Sequence, residues 1–330
     1  MDPEEAIEAL LDNQYLLIHD FYSTGLSLLN SLKLHVKNQE AGQSFQGQRD
    51  FRKMYRELSQ KVLLRISYHK LMARKSPEIG WLKILYPEDA EFLLPFPQIQ
   101  GLNSSWQWYE KGIKIPGLRD KIHPYYGTYF PTRFEHIVLF ESWLKAYQGE
   151  KASAIDVGIG SGILSDMLLK YNFETVCGTD NNPNAIIGQL EKQNRHQRKE
   201  NVELFYGDLF ADCSEPADLI VFNPPWLPAI QNVEGLDTAI YYHPDLFPKF
   251  FEEAQKHLKP EGQLVLLFSN LAQITNVTSD HPIENELAKE KRFVKVLMQQ
   301  KEVQQASAKT QRNHAWRDLE KVELWVLKHQ

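Results

Sequence analysis

A chain of 330 residues is too long for one small domain and accommodates a catalytic domain of about 180–200 residues beside an accessory one. Its hydrophobic content of 42% and charged content of 24% are those of ordinary globular proteins, and no apolar run reaches the roughly 18 residues of a membrane span. The net charge of −6 carries no whole-chain signature of polyanion binding, and two cysteines, Cys177 and Cys213, are too few for a disulfide framework or a structural zinc cluster. That cysteine usage points to a reducing compartment, the cytoplasm.

Asp2, Pro3, Glu4 and Glu5 read as a helix start, with Asp2 as N-cap, and not as a signal peptide. Up to about Leu94 the apolar residues recur at helical spacing (Ala6, Ile7, Leu10, Leu11, then Leu58, Val62, Leu63, Ile66), which predicts a helical accessory domain over 1–100. Within it, nine basic residues between Arg49 and Lys75 face two acids, and this excess reads either as an RNA- or ribosome-facing surface or as a solvated helix face. From Trp106 to Ile115 a loose alternation before a Pro-Gly pair suggests a strand or hairpin, so 101–135 is read as a hairpin and linker.

From Ala152 the pattern changes to strands alternating with helices. Strands are predicted over Ala152–Val157, Glu174–Thr179, Val202–Tyr206, Asp218–Phe222 and Gln263–Phe268, with helices over Ile163–Tyr171, Asn184–Arg195 and Pro244–Leu258. This alternation predicts a parallel sheet wrapped by helices, an α/β Rossmann-like domain over 136–330. Phe293–Met298 and Val322–Leu327 close the sheet as an antiparallel edge pair, with the basic stretch Lys309–Arg317 between them.

The residues at the strand ends carry the chemistry. Asp156-Val157-Gly158-Ile159-Gly160-Ser161-Gly162 runs from a strand into a glycine turn, and glycines let the backbone approach a ligand closely. The third glycine stands one residue earlier than in a dinucleotide fingerprint, which suits a methionine moiety with its amino group better than a pyrophosphate and disfavours a nicotinamide dehydrogenase. Asp180, followed by Asn181, ends the next strand where a carboxylate can accept from both ribose hydroxyls. Asp208 ends the third, placed to accept from an adenine amino group while Leu209 or Phe210 packs on the ring.

The fourth strand delivers Asn223-Pro224-Pro225-Trp226 to the same edge. A planar nitrogen has its lone pair delocalised and attacks carbon poorly. The Asn223 side-chain oxygen and the Pro224 carbonyl can each take one N–H and aim that lone pair, a positioning effect worth up to about 7–11 kcal/mol. Trp226 offers a flat face, and Pro225 is assigned to the substrate side of the loop. His136 and His243 are left out of the site.

These motifs resemble the class I S-adenosylmethionine-dependent methyltransferases, specifically N-methyltransferases with an Asn-Pro-Pro-aromatic loop, from about residue 120 to 330. That group includes glutamine N5 methyltransferases of release factors and adenine N6 or guanine N2 methyltransferases of nucleic acids. The resemblance implies a seven-stranded sheet, S-adenosylmethionine held by Asp156, Gly158, Gly160, Gly162, Asp180, Asn181, Asp208 and Leu209, and catalysis by Asn223, Pro224 and Trp226. Tyr125–Glu135 falls where the release-factor enzymes have a Pro-Arg-Pro segment, which makes Arg133 a substrate contact; here Thr132 separates Pro131 from Arg133. Trp226 stands where those enzymes usually carry Tyr, and Leu227-Pro228 departs from their continuation. A protein glutamine, in a translation factor for instance, is the preferred acceptor, an RNA or DNA base the alternative, and a non-catalytic cofactor-binding module a third reading.

Overall fold

The computed structural model describes residues 2–39, 45–88, 90–196, 201–229, 238–304 and 319–330. The chain divides into two compact units, up to Glu110 and from Lys111 onward.

The first unit opens with α1 (Pro3–Leu11), where Asp2 is the expected N-cap and also forms a capping box with Glu5, followed by β1 (Leu16–Ile18), α2 (Tyr22–Gln39) and α3 (Phe45–Ser59). It continues through β2 (Val62–Ser67), β3 (Lys70–Leu71), α4 (Trp81–Leu85), β4 (Phe92–Pro95) and α5 (Phe96–Lys111). The helical expectation needs correction here: β2 sits inside a four-stranded sheet, parallel to β1 and antiparallel to β3 and β4. Val62, Leu64 and Ile66 are all fully buried while Arg65 is exposed, the period of two that belongs to a strand. The run Val-Leu-Leu-Arg-Ile fits both periods, and β-branched Val62 and Ile66 favour the strand.

The basic residues of 49–75 are therefore spread over a helix, two strands and a turn, not along one helix face. Several have local partners: Lys61 donates to the Leu10 carbonyl (3.2 Å), Arg65 pairs with Glu91, and Arg74 and Lys75 lie over the Phe21 ring. Trp106 to Lys111 completes α5 instead of starting a hairpin. Trp106 and Tyr109, three residues apart on one helix face, pack on Trp81 with ring centroids 5.3 and 4.6 Å away.

The second unit begins with the hairpin β5 (Ile113–Lys114) and β6 (Lys121–Ile122), then α6 (Glu135–Ala146), β7 (Ser153–Val157), α7 (Ile163–Lys170), β8 (Thr175–Asp180), α8 (Pro183–His196), β9 (Val202–Tyr206) and β10 (Ala217–Phe222). It closes with β11 (Leu227–Pro228), β12 (Tyr241–Tyr242), α9 (Leu246–His257), β13 (Leu258–Ser269), α10 (Leu271–Ile274), α11 (Pro282–Asn285), β14 (Phe293–Glu302) and β15 (Lys321–His329). The seven-stranded sheet has the order β14-β15-β13-β10-β7-β8-β9, parallel except for β15, which runs antiparallel to both its neighbours. The strand and helix positions read from periodicity are thus realised.

Every residue of β10 is buried, as a central parallel strand covered on both faces requires. Leu219 and Val221 join an apolar cluster with α6 and α7, while Ile220 and Phe222 join one with Phe247, Phe250 and Phe251 of α9. Alternation along each strand thus feeds two cores, one per sheet face. Cys177 of β8 and Cys213 of the loop after β9 are neighbours, with Cα atoms 6.3 Å apart, a proximity that cysteine count alone does not anticipate. No described helix is long and apolar enough to cross a membrane.

Near the antiparallel edge, Glu323 is buried and accepts from His281 (2.9 Å), Trp325 (2.8 Å) and Gln300 (3.1 Å). Burial pushes its carboxyl up, but these hydrogen bonds outweigh it and hold it below the usual glutamate value of 4.5. A depressed carboxylate stabilises the fold above its unfolded value, and that contribution is lost as pH falls through the folded value. Glu323→Gln is therefore expected to flatten the acid limb of a Tm-against-pH curve below about pH 4.5, measured by calorimetry.

Candidate functional site

The strand order reverses direction between β7 and β10, since β8 and β9 extend the sheet to one side of β7 and β10 and β13 to the other. In open parallel sheets, ligands bind beyond the carboxyl ends of the strands at such a switch point. The register aligns the four ends: Val157 lies opposite Phe222 on one side and Thr179 on the other, and Asp180 opposite Tyr206. One residue further on, Gly158 and Asn223 therefore leave the sheet side by side. With strands about 4.8 Å apart, the crevice from β9 to β10 is about 14 Å wide.

The three glycines differ in use, although all have positive φ: +69° at Gly158, +49° at Gly160 and +77° at Gly162. A Cβ on Gly158 would meet only Phe222, at 3.6 Å, and one on Gly160 would find its nearest neighbour, the Tyr129 carbonyl, 3.8 Å away. These two glycines border open space. Gly162 instead starts α7 in the left-handed region, and a Cβ there would collide with Gln189 of α8, whose Nε2 donates to the Gly160 carbonyl (3.1 Å). The missing side chain at Gly162 thus allows a helix to brace the loop.

Asp156 is 1% exposed and accepts from Ser165 Oγ through Oδ2 (2.6 Å), while Oδ1 is buried without a hydrogen-bond partner. Burial pushes its carboxyl up to about 7. A carboxyl with a raised folded value stabilises the fold below its unfolded value of 3.8, and this contribution is lost as pH rises through 7. Relative to wild type, Asp156→Asn is expected to gain Tm as pH goes from about 4 to about 8, by several degrees for a gain of about 1–2 kcal/mol, read by calorimetry of the unliganded protein.

Asp180 is fixed by two backbone donors, Gly160 N to Oδ2 and Asn182 N to Oδ1, both at 2.8 Å. Burial raises its carboxyl above the usual aspartate value, against the pull of these bonds. Each oxygen keeps a lone pair, spaced to accept from a vicinal diol. Asn181 donates to Asp208 Oδ1 at 3.4 Å, and Asp208 is exposed at the rim. Leu209, with φ +47°, is buried in the α9-side core, and its carbonyl accepts from Thr179 Oγ1, tying the loop after β9 to β8.

On the fourth end, Pro224 is buried and Asn223, Pro225 and Trp226 are half-buried. The indole N–H of Trp226 donates to Asn223 Oδ1 and to the Leu267 carbonyl, each at 3.3 Å. Arg133 donates to Glu320 Oε2 (2.8 Å), so its guanidinium is engaged with the start of β15. The basic stretch 309–317 lies outside the described residues.

The structure thus brings Asp156, the glycines, Asp180, Asn181, Asp208, Leu209 and the Asn223 loop to one sheet edge. It adds residues that periodicity passes over. His136 of α6 is 4% exposed and meets Trp226 edge-on, with centroids 5.4 Å apart and planes at 89°. Its signal in the sequence is a polar residue on the apolar face of a helix. Ser165 and Gln189 carry no such signal, because their partners come from other elements.

Residues 138–298 match the family model described as methyltransferase small domain. A protein of Methanocaldococcus jannaschii, named a candidate protein N5-glutamine methyltransferase, is 28% identical over 166 residues, which are 48% of this chain and 80% of that protein. A release factor glutamine methyltransferase of Buchnera aphidicola is 31% identical over 36% of this chain and 42% of its own length. A ribosomal protein L11 methyltransferase of Thermosipho africanus is 35% identical over 26% of this chain and 32% of its own length. The chain thus spans less than half of the latter two relatives. Among solved structures, a ribosomal protein L11 methylase of Lactobacillus delbrueckii overlays 67% of this chain and 92% of its own, at 19% identity and a TM-score of 0.43.

Proposed function

We propose that this chain, whose residues 138–298 belong to the methyltransferase small domain family, is an S-adenosylmethionine-dependent N-methyltransferase that acts on the side-chain amide of a protein glutamine. One observation carries this reading: Asn223 leaves the sheet beside Gly158 at the switch point, so an amide acceptor and the glycine cradle are neighbours. The crevice fits the cofactor. Gly158 and Gly160 leave space where side chains would stand, Asp180 presents two fixed oxygens to a ribose, and Asp156 keeps one buried oxygen without a partner near a cationic ligand's place. S-Adenosylmethionine, when bound, supplies a methyl group on a positively charged sulfur, a donor that needs no metal.

The chain's own residues prepare the acceptor. Asn223 Oδ1 takes one N–H of the glutamine amide and the Pro224 carbonyl the other, which turns the nitrogen lone pair out of conjugation and toward the crevice. The two prolines hold that carbonyl in place, since their fixed φ leaves the loop few alternatives. Asp208 and Leu209 bound the adenine end, and Arg133 steadies the segment above Gly160 through Glu320. The names of the three curated relatives all refer to protein acceptors, which favours a protein over a nucleic-acid base, a translation factor in the cytoplasm being the acceptor we propose.

The test is to incubate the full chain with tritiated S-adenosylmethionine and cell lysate, then digest separately with protease and nuclease. Label released by protease and retained through nuclease supports the reading. Label that survives protease but not nuclease overturns the protein acceptor in favour of an RNA or DNA base, and no incorporation overturns the enzymatic reading.

A further inference from the structure

Trp226 does more in this structure than present a flat face. Its ring is packed among apolar residues on both sides of the sheet, and the buried His136 ring lies perpendicular to it with centroids 5.4 Å apart. His136 Nδ1 is buried and has no hydrogen-bond partner among the described residues, and the imidazole packs perpendicular to the indole. Burial pulls its pKa down to about 4, which keeps the ring neutral at physiological pH. The single donor of the indole is shared between two oxygens, each 3.3 Å away. One of them, the Leu267 carbonyl, belongs to β13 and is immobilised by the sheet; the other is Asn223 Oδ1.

We propose that Trp226 is a positioning residue whose indole N–H selects one of the two orientations of the Asn223 carboxamide, so that its oxygen and not its NH2 faces the acceptor nitrogen. This rests on the N-methyltransferase reading of the site. A carboxamide is nearly symmetric in shape, with an accepting end and a donating end that exchange on a half-turn about χ2. An acceptor amine or amide needs the accepting end, and the donating end would repel its N–H. The Trp226 N–H meets oxygen in one orientation and NH2 in the other, where two donors would oppose each other in a half-buried site. The indole N–H keeps the Leu267 carbonyl in either orientation, so the flip removes one of its two acceptors and sets two donors against each other, which disfavours the flipped state by about 2- to 10-fold. Asn223 Oδ1 retains a second lone pair, and that one is left for the substrate. Phenylalanine would fill much of the same space and tyrosine would carry its hydroxyl elsewhere, so neither performs this selection.

The direct experiment replaces Trp226 in the full chain with 3-benzothienylalanine, which keeps the size of the ring and exchanges N–H for sulfur. The initial rate of tritium transfer from saturating S-adenosylmethionine to lysate protein should fall by up to about twofold, as the accepting orientation drops from most of the population to about half, with cofactor Kd and Tm unchanged. In an Asn223→Ala background the same replacement should change nothing further, since the two residues act through one contact. A readout independent of turnover is the 15N-labelled indole of Trp226, assigned by its loss in Trp226→Phe. Its proton resonance should move and exchange faster with solvent in Asn223→Ala. An undiminished rate with the sulfur isostere, or an indole resonance indifferent to Asn223→Ala, overturns the proposal. A rate kept at saturating protein with a raised acceptor KM overturns it too, in favour of a stacking platform. If the wild-type chain labels no protein at all, the methyltransferase reading fails instead, and the indole resonance still decides whether Trp226 orients Asn223.

Discussion

Asn223→Ala is expected to lower the rate of methyl transfer by about 10²–10³-fold while leaving S-adenosylmethionine binding nearly intact. The magnitude is that of deleting one preorganised group aimed at a reacting centre. The selectivity follows from the sheet. Asn223 stands at the end of β10, whereas the glycine cradle and Asp180, the groups proposed to carry most of the cofactor's binding, belong to β7 and β8. Nothing in the truncation should disturb β10, since all six of its residues are buried and two prolines follow the substituted position. The measurements are initial rates of tritium transfer at saturating cofactor and a calorimetric titration of the variant with S-adenosylmethionine. A variant that binds normally and transfers methyl groups as fast as wild type would remove Asn223 from the chemistry and favour a cofactor-binding module that acts through a partner.

Asp180→Ala should produce the opposite pattern, a loss of cofactor affinity of roughly 10²–10⁴-fold. Two hydrogen bonds from ribose hydroxyls to a carboxylate are each worth about 1.5–3 kcal/mol, and every 1.4 kcal/mol is about tenfold in affinity. The same substitution strips the Gly160 and Asn182 N–H groups of their acceptor, so the glycine turn loses one of its braces as well. Asp180→Asn separates the two effects. It preserves one accepting oxygen and should fall between alanine and wild type in affinity. Cofactor Kd unchanged in Asp180→Ala would place the ribose elsewhere in the crevice.

The two substitutions also separate the enzyme's two tasks in a way that the position of either residue in the chain does not reveal. Asn223→Ala leaves a loaded enzyme that is slow, and Asp180→Ala leaves one that is unloaded at ordinary cofactor concentrations. Trp226 belongs with the first of these, because it touches Asn223 and not the cradle.

How far the sequence reaches is clearest in the second unit. Buried parallel strands are written as short apolar runs, and their carboxyl ends carry the glycines, carboxylates and amide that later share one edge. Because side-chain alternation and strand length are local properties, Ala152–Phe268 could be parsed without coordinates. Between Val62 and Ile66 the same kind of information is ambiguous. Five residues of mixed apolar character satisfy a helix and a strand equally, and pairing with β1 and β4 resolves them as a strand.

What a linear pattern cannot contain is the direction in which a polar atom points. Arg133 reads as a substrate contact, and only the fold shows that Glu320, 187 residues away, lies within 2.8 Å of it. Gly162 reads as part of a ligand loop, and only the fold shows Gln189 packed against it. Trp226 reads as a stacking surface until Asn223 and the Leu267 carbonyl, 41 residues on, are found sharing its N–H. The identities and order of the strand-end residues follow from local periodicity, while the orientation of each hydrogen-bonding group depends on partners that only the packed sheet and its covering helices bring within 3.5 Å of one another.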